Sequence, residues 1–86
     1  MESPRITEQR RRINIAIRTA ELRPKIVWIR YFGLAGALGE LEFDAYLHRA
    51  ITIPQLQCDL IAHAVNELID EIPPLPRAPY GADIEV

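Results

Sequence analysis

Apolar residues recur in the first quarter of the chain at the spacing of one side of an α-helix. This stripe consists of Ile6, Ile13, Ala16, Ile17 and Ala20. Ser3 and Pro4 form a favourable helix start, with a serine N-cap and a proline at the first helical position. Because Pro24 disfavours the α conformation at the residue before it, the pattern predicts a first helix over roughly 4–22.

A second helix is predicted to begin near Pro24, and its apolar side chains lie nearly all round it. They are Ile26, Val27, Trp28, Ile29, Tyr31, Phe32 and Leu34. This character is typical of a buried helix, so we expect helix 2 to be the centre of the domain. Gly39 is predicted to follow the helix C-terminus. Gly33 and Gly36, if helical, would indicate a bend or the close approach of another helix.

Two further helices are predicted in the second half of the chain. Helix 3 covers about 40–50, with acidic residues in its first turn and basic residues in its last, which suits the helix dipole. Helix 4 is expected to have Thr52 as N-cap and Gln55 as its capping-box partner, and to continue to about Glu71. Its predicted buried residues are Ile61, Ala64, Val65, Leu68 and Ile69.

The sequence therefore predicts an all-α fold, a compact bundle of about four helices, and no strand is convincing. Residues 1–72 are expected to form a single helical domain with room for one modest core. Residues 73–86 begin with four prolines in seven positions and are predicted to form an extended, disordered tail. A ligand for an aromatic-lined groove is the alternative interpretation of this tail.

Charge is divided sharply along the chain. Residues 1–30 contain eight basic and three acidic residues, a net charge of +5, whereas residues 31–86 contain two basic and nine acidic residues, a net charge of −7. This asymmetry indicates a polyanionic partner, or two poles that neutralise each other within or between chains. A homodimer with helix 1 of one chain on helices 3 and 4 of the other would satisfy both poles.

Composition and motifs narrow the classes of function. Cys58 is the only cysteine, which excludes an intrachain disulfide, favours a reducing compartment and is typical of a small core residue. Without a signal-peptide pattern or an apolar run of bilayer length, we expect a cytoplasmic protein with no membrane contact. No phosphate-binding loop, nucleophile elbow or catalytic dyad is present, so neither an enzyme nor a cofactor is expected. Asp59 and His63, four residues apart, could reach one metal ion, but a solvated polar face is favoured.

Helix 1 carries the leading candidate for a functional surface. Ile15 and Leu22 face away from the predicted core among Arg11 and Arg18, and an apolar pair framed by arginine favours a protein contact. We therefore expect a non-enzymatic interaction or regulatory protein of a bacterium or phage, for example one that acts on the transcription machinery. Its partner would be another protein chain, either a second copy or a different protein.

Nucleic-acid binding is the alternative function. The basic residues available for phosphate contacts are Arg5, Arg10, Arg11, Arg12 and Arg18. The segment from Leu34 into helix 3 also resembles a helix-turn-helix with glycine in the turn. Its second helix would bring three acidic residues towards the phosphates, which is unfavourable for reading DNA. An ordinary corner between two helices of a bundle is therefore favoured for this segment.

Overall fold

The computed structural model describes residues 2–73 and 78–83 of the 86-residue chain. Its elements are α1 Pro4–Thr19, α2 Pro24–Gly33, α3 Glu40–Leu47, α4 Gln55–Asp70 and a short 3-10 helix Gly81–Asp83. The described residues contain no strand, and the predicted all-α bundle is confirmed. Of the predicted disordered tail, residues 74–77, which contain part of the proline run, and residues 84–86 lie outside the described residues.

The core is built around α4, which packs against α1 on one side and against α2 on the other. α3 packs against α2 and closes one end of the bundle. The buried apolar residues are Ile13, Ile17, Val27, Tyr31, Leu38, Phe43, Tyr46, Leu47, Ile53, Cys58, Ile61, Ala64 and Val65. Cys58 is fully buried, as expected for a small core residue, and burial raises the pKa of its thiol. Because the thiolate is the reactive form, this environment disfavours reactivity.

The prediction that helix 2 is the buried centre of the domain is wrong. Only Val27 and Tyr31 of α2 are buried. On its outward side Ile26, Ile29 and Phe32 keep 45%, 51% and 58% of their surface exposed. The physical reason is that α2 packs against α4 and α3 with one side, and no described element packs against its other side.

The first three helices end with the same backbone motif, in which the residue after the C-cap is left-handed. These residues are Glu21, Ala35 and Arg49, with φ angles of 54°, 69° and 64°. The next amide then reaches back five residues, as from Leu22 to the Ile17 carbonyl at 2.9 Å. α1 therefore ends at Thr19 and α3 at Leu47, each three residues before its predicted end. Gly39 does not follow α2 as predicted and is instead the N-cap of α3.

The α2–α3 connection is held by Tyr31, which is fully buried. Its hydroxyl accepts a hydrogen bond from the Leu38 amide at 2.9 Å and donates to Gln57 Oε1, which also accepts from the Ala37 amide at 3.0 Å. The Tyr31 ring lies so close to Gly36 that a Cβ at position 36 would overlap it. The close approach at this glycine therefore comes from an aromatic ring and not from a neighbouring helix.

The predicted capping box of helix 4 is also wrong. The helix begins at Gln55, with Pro54 as an N-cap that offers no side-chain hydrogen bond. The Thr52 hydroxyl donates instead to Glu2 Oε2 at 2.7 Å. The side-chain amide nitrogen of Gln55, Nε2, donates to Gln9 Oε1 at 2.7 Å. Both side chains therefore fasten the start of α4 to the N-terminal part of the chain.

Candidate protein-binding groove

The outward side of α1 forms one wall of an open groove on the bundle surface. Arg11, Ile15 and Arg18 are spaced by four and three residues, so they lie on one side of the helix. The described lining of this arginine groove is Arg11, Asn14, Ile15, Ile17, Arg18 and Arg49. Three of the four residues of the predicted protein-contact face are thus brought together, and Arg49 joins them from the loop after α3.

Arg49 reaches the groove because α1 and the end of α3 are tied together. Asn14 Nδ2 of α1 donates a hydrogen bond to the Leu47 carbonyl at 3.0 Å. Two residues later the chain turns through the left-handed Arg49, whose amide donates to the Tyr46 carbonyl at 3.1 Å. This turn brings Arg49 to the groove, which it lines together with Arg11 and Arg18 of α1.

The groove is positively charged. Arg11 Nη2 lies 2.7 Å from Glu8 Oε1, and Arg12 Nε lies 3.0 Å from the same oxygen. Hydrogen bonds from Arg11 and then Arg12 lower the pKa of Glu8 to about 2, so this carboxylate is already shared by two cations. Arg18 and Arg49 have no ion-pair partner within residues 2–73 and 78–83. At least two positive charges therefore remain uncompensated around Ile15, which is 41% exposed.

Leu22 lies apart from this groove. It follows the end of α1, where its amide bonds to the Ile17 carbonyl, and its side chain is half-buried against the core. The structure therefore places Leu22 away from the helical side that it would share with Ile15 if α1 continued to residue 22.

The five arginines considered for nucleic-acid binding do not form one surface. Arg11 and Arg18 line the arginine groove, whereas Arg5 and Arg12 line a separate depression between α1 and α4. Arg10 is only 4% exposed. These arginines thus point in three directions, which leaves no single row of cations for a phosphate backbone.

Arg10 makes contacts inside the bundle that hold the fold together. Its two terminal nitrogens donate to both Glu2 carboxylate oxygens at 2.7 and 2.6 Å, and Nη2 also donates to the Ile51 carbonyl at 3.1 Å. The guanidinium lies 4.8 Å above the Tyr46 ring. Hydrogen bonds from Arg10 and then Thr52 lower the pKa of Glu2 to about 2. Arg10 therefore joins the N-terminus to the α3–α4 loop.

Asp59 and His63, the pair considered as metal ligands, contact different residues. Asp59 Oδ1 accepts hydrogen bonds from Gln9 and Gln55, each at 2.9 Å, which lower the pKa of its carboxyl. His63 Nε2 lies 3.3 Å from Glu67 Oε2. Within the described ranges, His, Cys, Asp and Glu residues form no group of three that could hold a metal ion.

The arginine groove is the feature of this chain from which a function is inferred. Comparison with protein-family models, curated proteins and solved structures gave no match. Across the part of the chain that the structure describes, no helix is both long and apolar enough to cross a membrane. The ligand classes that suit the groove's positive charge and its exposed apolar side chain therefore indicate the function.

Proposed function

We propose that this chain is a small cytoplasmic regulatory protein without enzymatic activity, which binds an acidic segment of another protein in the arginine groove. The observation that carries this proposal is that Arg18 and Arg49, which have no ion-pair partner among the described residues, line the groove together with the half-exposed Ile15. Guanidinium groups bind carboxylates through two parallel hydrogen bonds. A segment with acidic side chains around one apolar side chain would match this arrangement.

Arg49 lies at the left-handed turn that follows α3 and also lines the groove. A left-handed conformation costs an L-residue roughly 1–2 kcal/mol, and glycine is the residue that adopts it most readily. Arg49 occupies such a position with φ 64°. Glu21 and Ala35 occupy the same kind of position, so a functional role for Arg49 is supported by its place among the groove residues and not by its φ angle.

A different protein fits the groove better than a second copy does. Several acidic residues of α3 and α4, and Glu71 next to α4, already have partners within the chain: Glu42 Oε1 accepts from the Gly39 amide at 3.2 Å, and Glu67 and Glu71 pair with Arg30. Laying these helices in the groove of another copy would require breaking such contacts. Nucleic acid is the competing ligand class, but the exposed Ile15 side chain in the groove offers no hydrogen-bond donor to phosphate oxygens.

The proposal can be tested with a fluorescently labelled helical peptide that carries glutamates on either side of a leucine. Anisotropy titrations would compare the wild-type chain with Arg18→Ala and Arg49→Gly. Each variant is expected to weaken binding by at least about tenfold, since a charge-assisted hydrogen bond contributes roughly 1.5–3 kcal/mol. Arg49→Gly should also raise the free energy of unfolding, which separates a binding defect from a folding defect.

Arg12→Ala is the matched control, because Arg12 is an exposed arginine of α1 that does not line the groove. Its peptide affinity should stay within about twofold of wild type. Equal losses in Arg12→Ala and Arg18→Ala would show nonspecific charge attraction and contradict the assignment. The same titrations with single-stranded and duplex DNA form the second arm, and tighter binding of DNA than of the peptide would favour the alternative function.

A further inference from the structure

The outward side of α2 is an apolar surface that the groove does not use. Ile26, Ile29 and Phe32 are spaced by three residues and form one exposed strip, named here the α2 face. The Trp28 ring lies 5.4 Å from the Phe32 ring and supports it from the side. No described element of the chain packs over this face.

Gly33 is the last residue of α2 and lies on the same side of the helix. A Cβ at this position would meet nothing within 4 Å. Its φ is not positive, so neither backbone conformation nor packing within the chain requires glycine. Glycine is nevertheless among the poorest helix formers, whereas at Gly36 the Tyr31 ring explains its presence. An outward glycine beside an apolar strip permits the backbone of a second helix to approach closely.

We propose that the α2 face binds the same face of a second copy of this chain, with the two α2 helices antiparallel across a two-fold axis. The strip is self-complementary in this arrangement, because Ile29 lies at its middle and would meet its own counterpart. Ile26 would then lie against Phe32 and Gly33 of the other copy, where the missing side chain leaves room.

The charges at the ends of α2 suit an antiparallel partner. The helix has no acidic residue in its first turn, where Lys25 follows Pro24, and Arg23 is its N-cap. Cations at this end oppose the dipole of their own helix, and Lys25 is the one with an acidic neighbour among the described residues, Glu40 Oε1 at 4.0 Å. In an antiparallel pair they would lie beside the carbonyl end of the partner helix, where positive charge is favourable.

The area of the strip fits the centre of a dimer interface. With large side chains offering roughly 200 Å² each, the exposed fractions of these three residues correspond to about 300 Å² of apolar surface on each chain. An interface of standard size buries about 800 Å² per partner. The α2 face would supply its apolar core, and Arg23, Lys25 and Arg30 would supply a polar rim.

Sedimentation velocity of the full chain, measured up to about 100 µM, tests this proposal. Wild type is expected to show a dimer whose fraction rises with concentration. Ile29→Ser combined with Phe32→Ser should raise the dissociation constant by at least about 100-fold, because both residues lie in the proposed interface core. Leu56→Ser is the control, since Leu56 is 65% exposed on α4 and lies outside the α2 face. A wild-type monomer throughout this range, or an undiminished dimer in the double variant, would overturn the proposal.

Gly33→Leu provides a second variant that does not depend on removing apolar surface. The open space around position 33 accommodates leucine in the single chain, so helicity by circular dichroism should be kept or increased. Close helix crossing predicts that the same substitution weakens the dimer by about tenfold or more. An unchanged dissociation constant would refute the antiparallel contact at Gly33. Arg18→Ala should leave the dimer intact, so failure of this proposal and failure of the arginine groove are distinguishable.

Discussion

Removing the hydroxyl of Tyr31 should destabilise the bundle far more than removing the hydroxyl of Tyr46. Both tyrosines are fully buried. The Tyr31 hydroxyl accepts from the buried Leu38 amide and donates to Gln57. The Tyr46 hydroxyl makes no hydrogen bond of ordinary geometry in the part of the chain that the structure describes, and its neighbour is the Cys58 thiol, which is a weak hydrogen-bonding group. The two Tyr→Phe substitutions remove the same chemical group. They differ in the hydrogen bonds that are lost with it.

The expected magnitude follows from the groups that each substitution leaves behind. Tyr31→Phe leaves the Leu38 amide without its acceptor in the interior, and a buried donor left unsatisfied costs about 1–3 kcal/mol. A chain of this length has a free energy of unfolding of roughly 4–13 kcal/mol, so the loss is a large share of it. At about 4–8 °C per kcal/mol, a loss of about 2 kcal/mol lowers Tm by about 8–16 °C. Tyr46→Phe should stay within about 0.5 kcal/mol of wild type or gain stability.

Urea unfolding followed by the fluorescence of Trp28 would measure both changes. Trp28 is the only tryptophan, and its Nε1 donates to the Leu38 carbonyl at 3.0 Å, so it reports on the same connection. Far-ultraviolet circular dichroism gives an independent transition, and coincidence of the two curves would show two-state unfolding. Equal losses in the two variants, or a loss below about 0.5 kcal/mol in Tyr31→Phe, would refute the role given to this hydroxyl.

Three further predictions follow from the same structure. Gly36→Ala should lower the free energy of unfolding by about 1–3 kcal/mol, because its Cβ would overlap the Tyr31 ring, and unchanged urea curves would contradict this. Ala35→Gly should raise that free energy by about 0.5–1 kcal/mol by relieving the left-handed backbone at φ 69°, whereas a lower thermal midpoint would oppose it. Because Arg10 lowers the pKa of Glu2 from 4.5 to about 2, this pair should stabilise the fold fully above pH 4.5, and its contribution should be lost as pH falls towards 2. Glu2→Gln should flatten the acid limb of stability against pH, and an unaltered acid limb would be evidence against the pairing.

Local sequence patterns predicted the existence of the helices better than their ends. Ser3 and Pro4 start α1 as predicted, with Ser3 Oγ accepting from the Ile6 amide at 3.3 Å. The helix C-termini were harder to predict because the residues at their left-handed positions are Glu21, Ala35 and Arg49. In a sequence, a glycine is the usual sign of such a position. At these three sites the surrounding packing outweighs the intrinsic preference of the residue.

The candidate groove was predictable only where its residues share one helix. Periodicity along α1 is sufficient to place Arg11, Ile15 and Arg18 on one side. It carries no information on Arg49, which is 31 residues beyond Arg18 and reaches the groove through the bond between Asn14 and the Leu47 carbonyl. The same limit applies to the buried position of Arg10. This arginine pairs with Glu2 and bonds to the Ile51 carbonyl, so its geometry depends on the α3–α4 loop.

The sequence by itself determined the all-α character of this protein, the number of its helices and the single-sided arrangement of cations at Arg11 and Arg18. These properties depend on helical periodicity and capping, which act over a few residues. Tertiary structure decided which helix is central, which arginines are available to a partner, and that the α2 face is left uncovered. Those outcomes depend on contacts between residues distant along the chain. Packing of α4 between α1 and α2 leaves the outward side of α2 uncovered, whereas Arg49 and Arg10 take their positions from contacts with the end of α3 and with the α3–α4 loop.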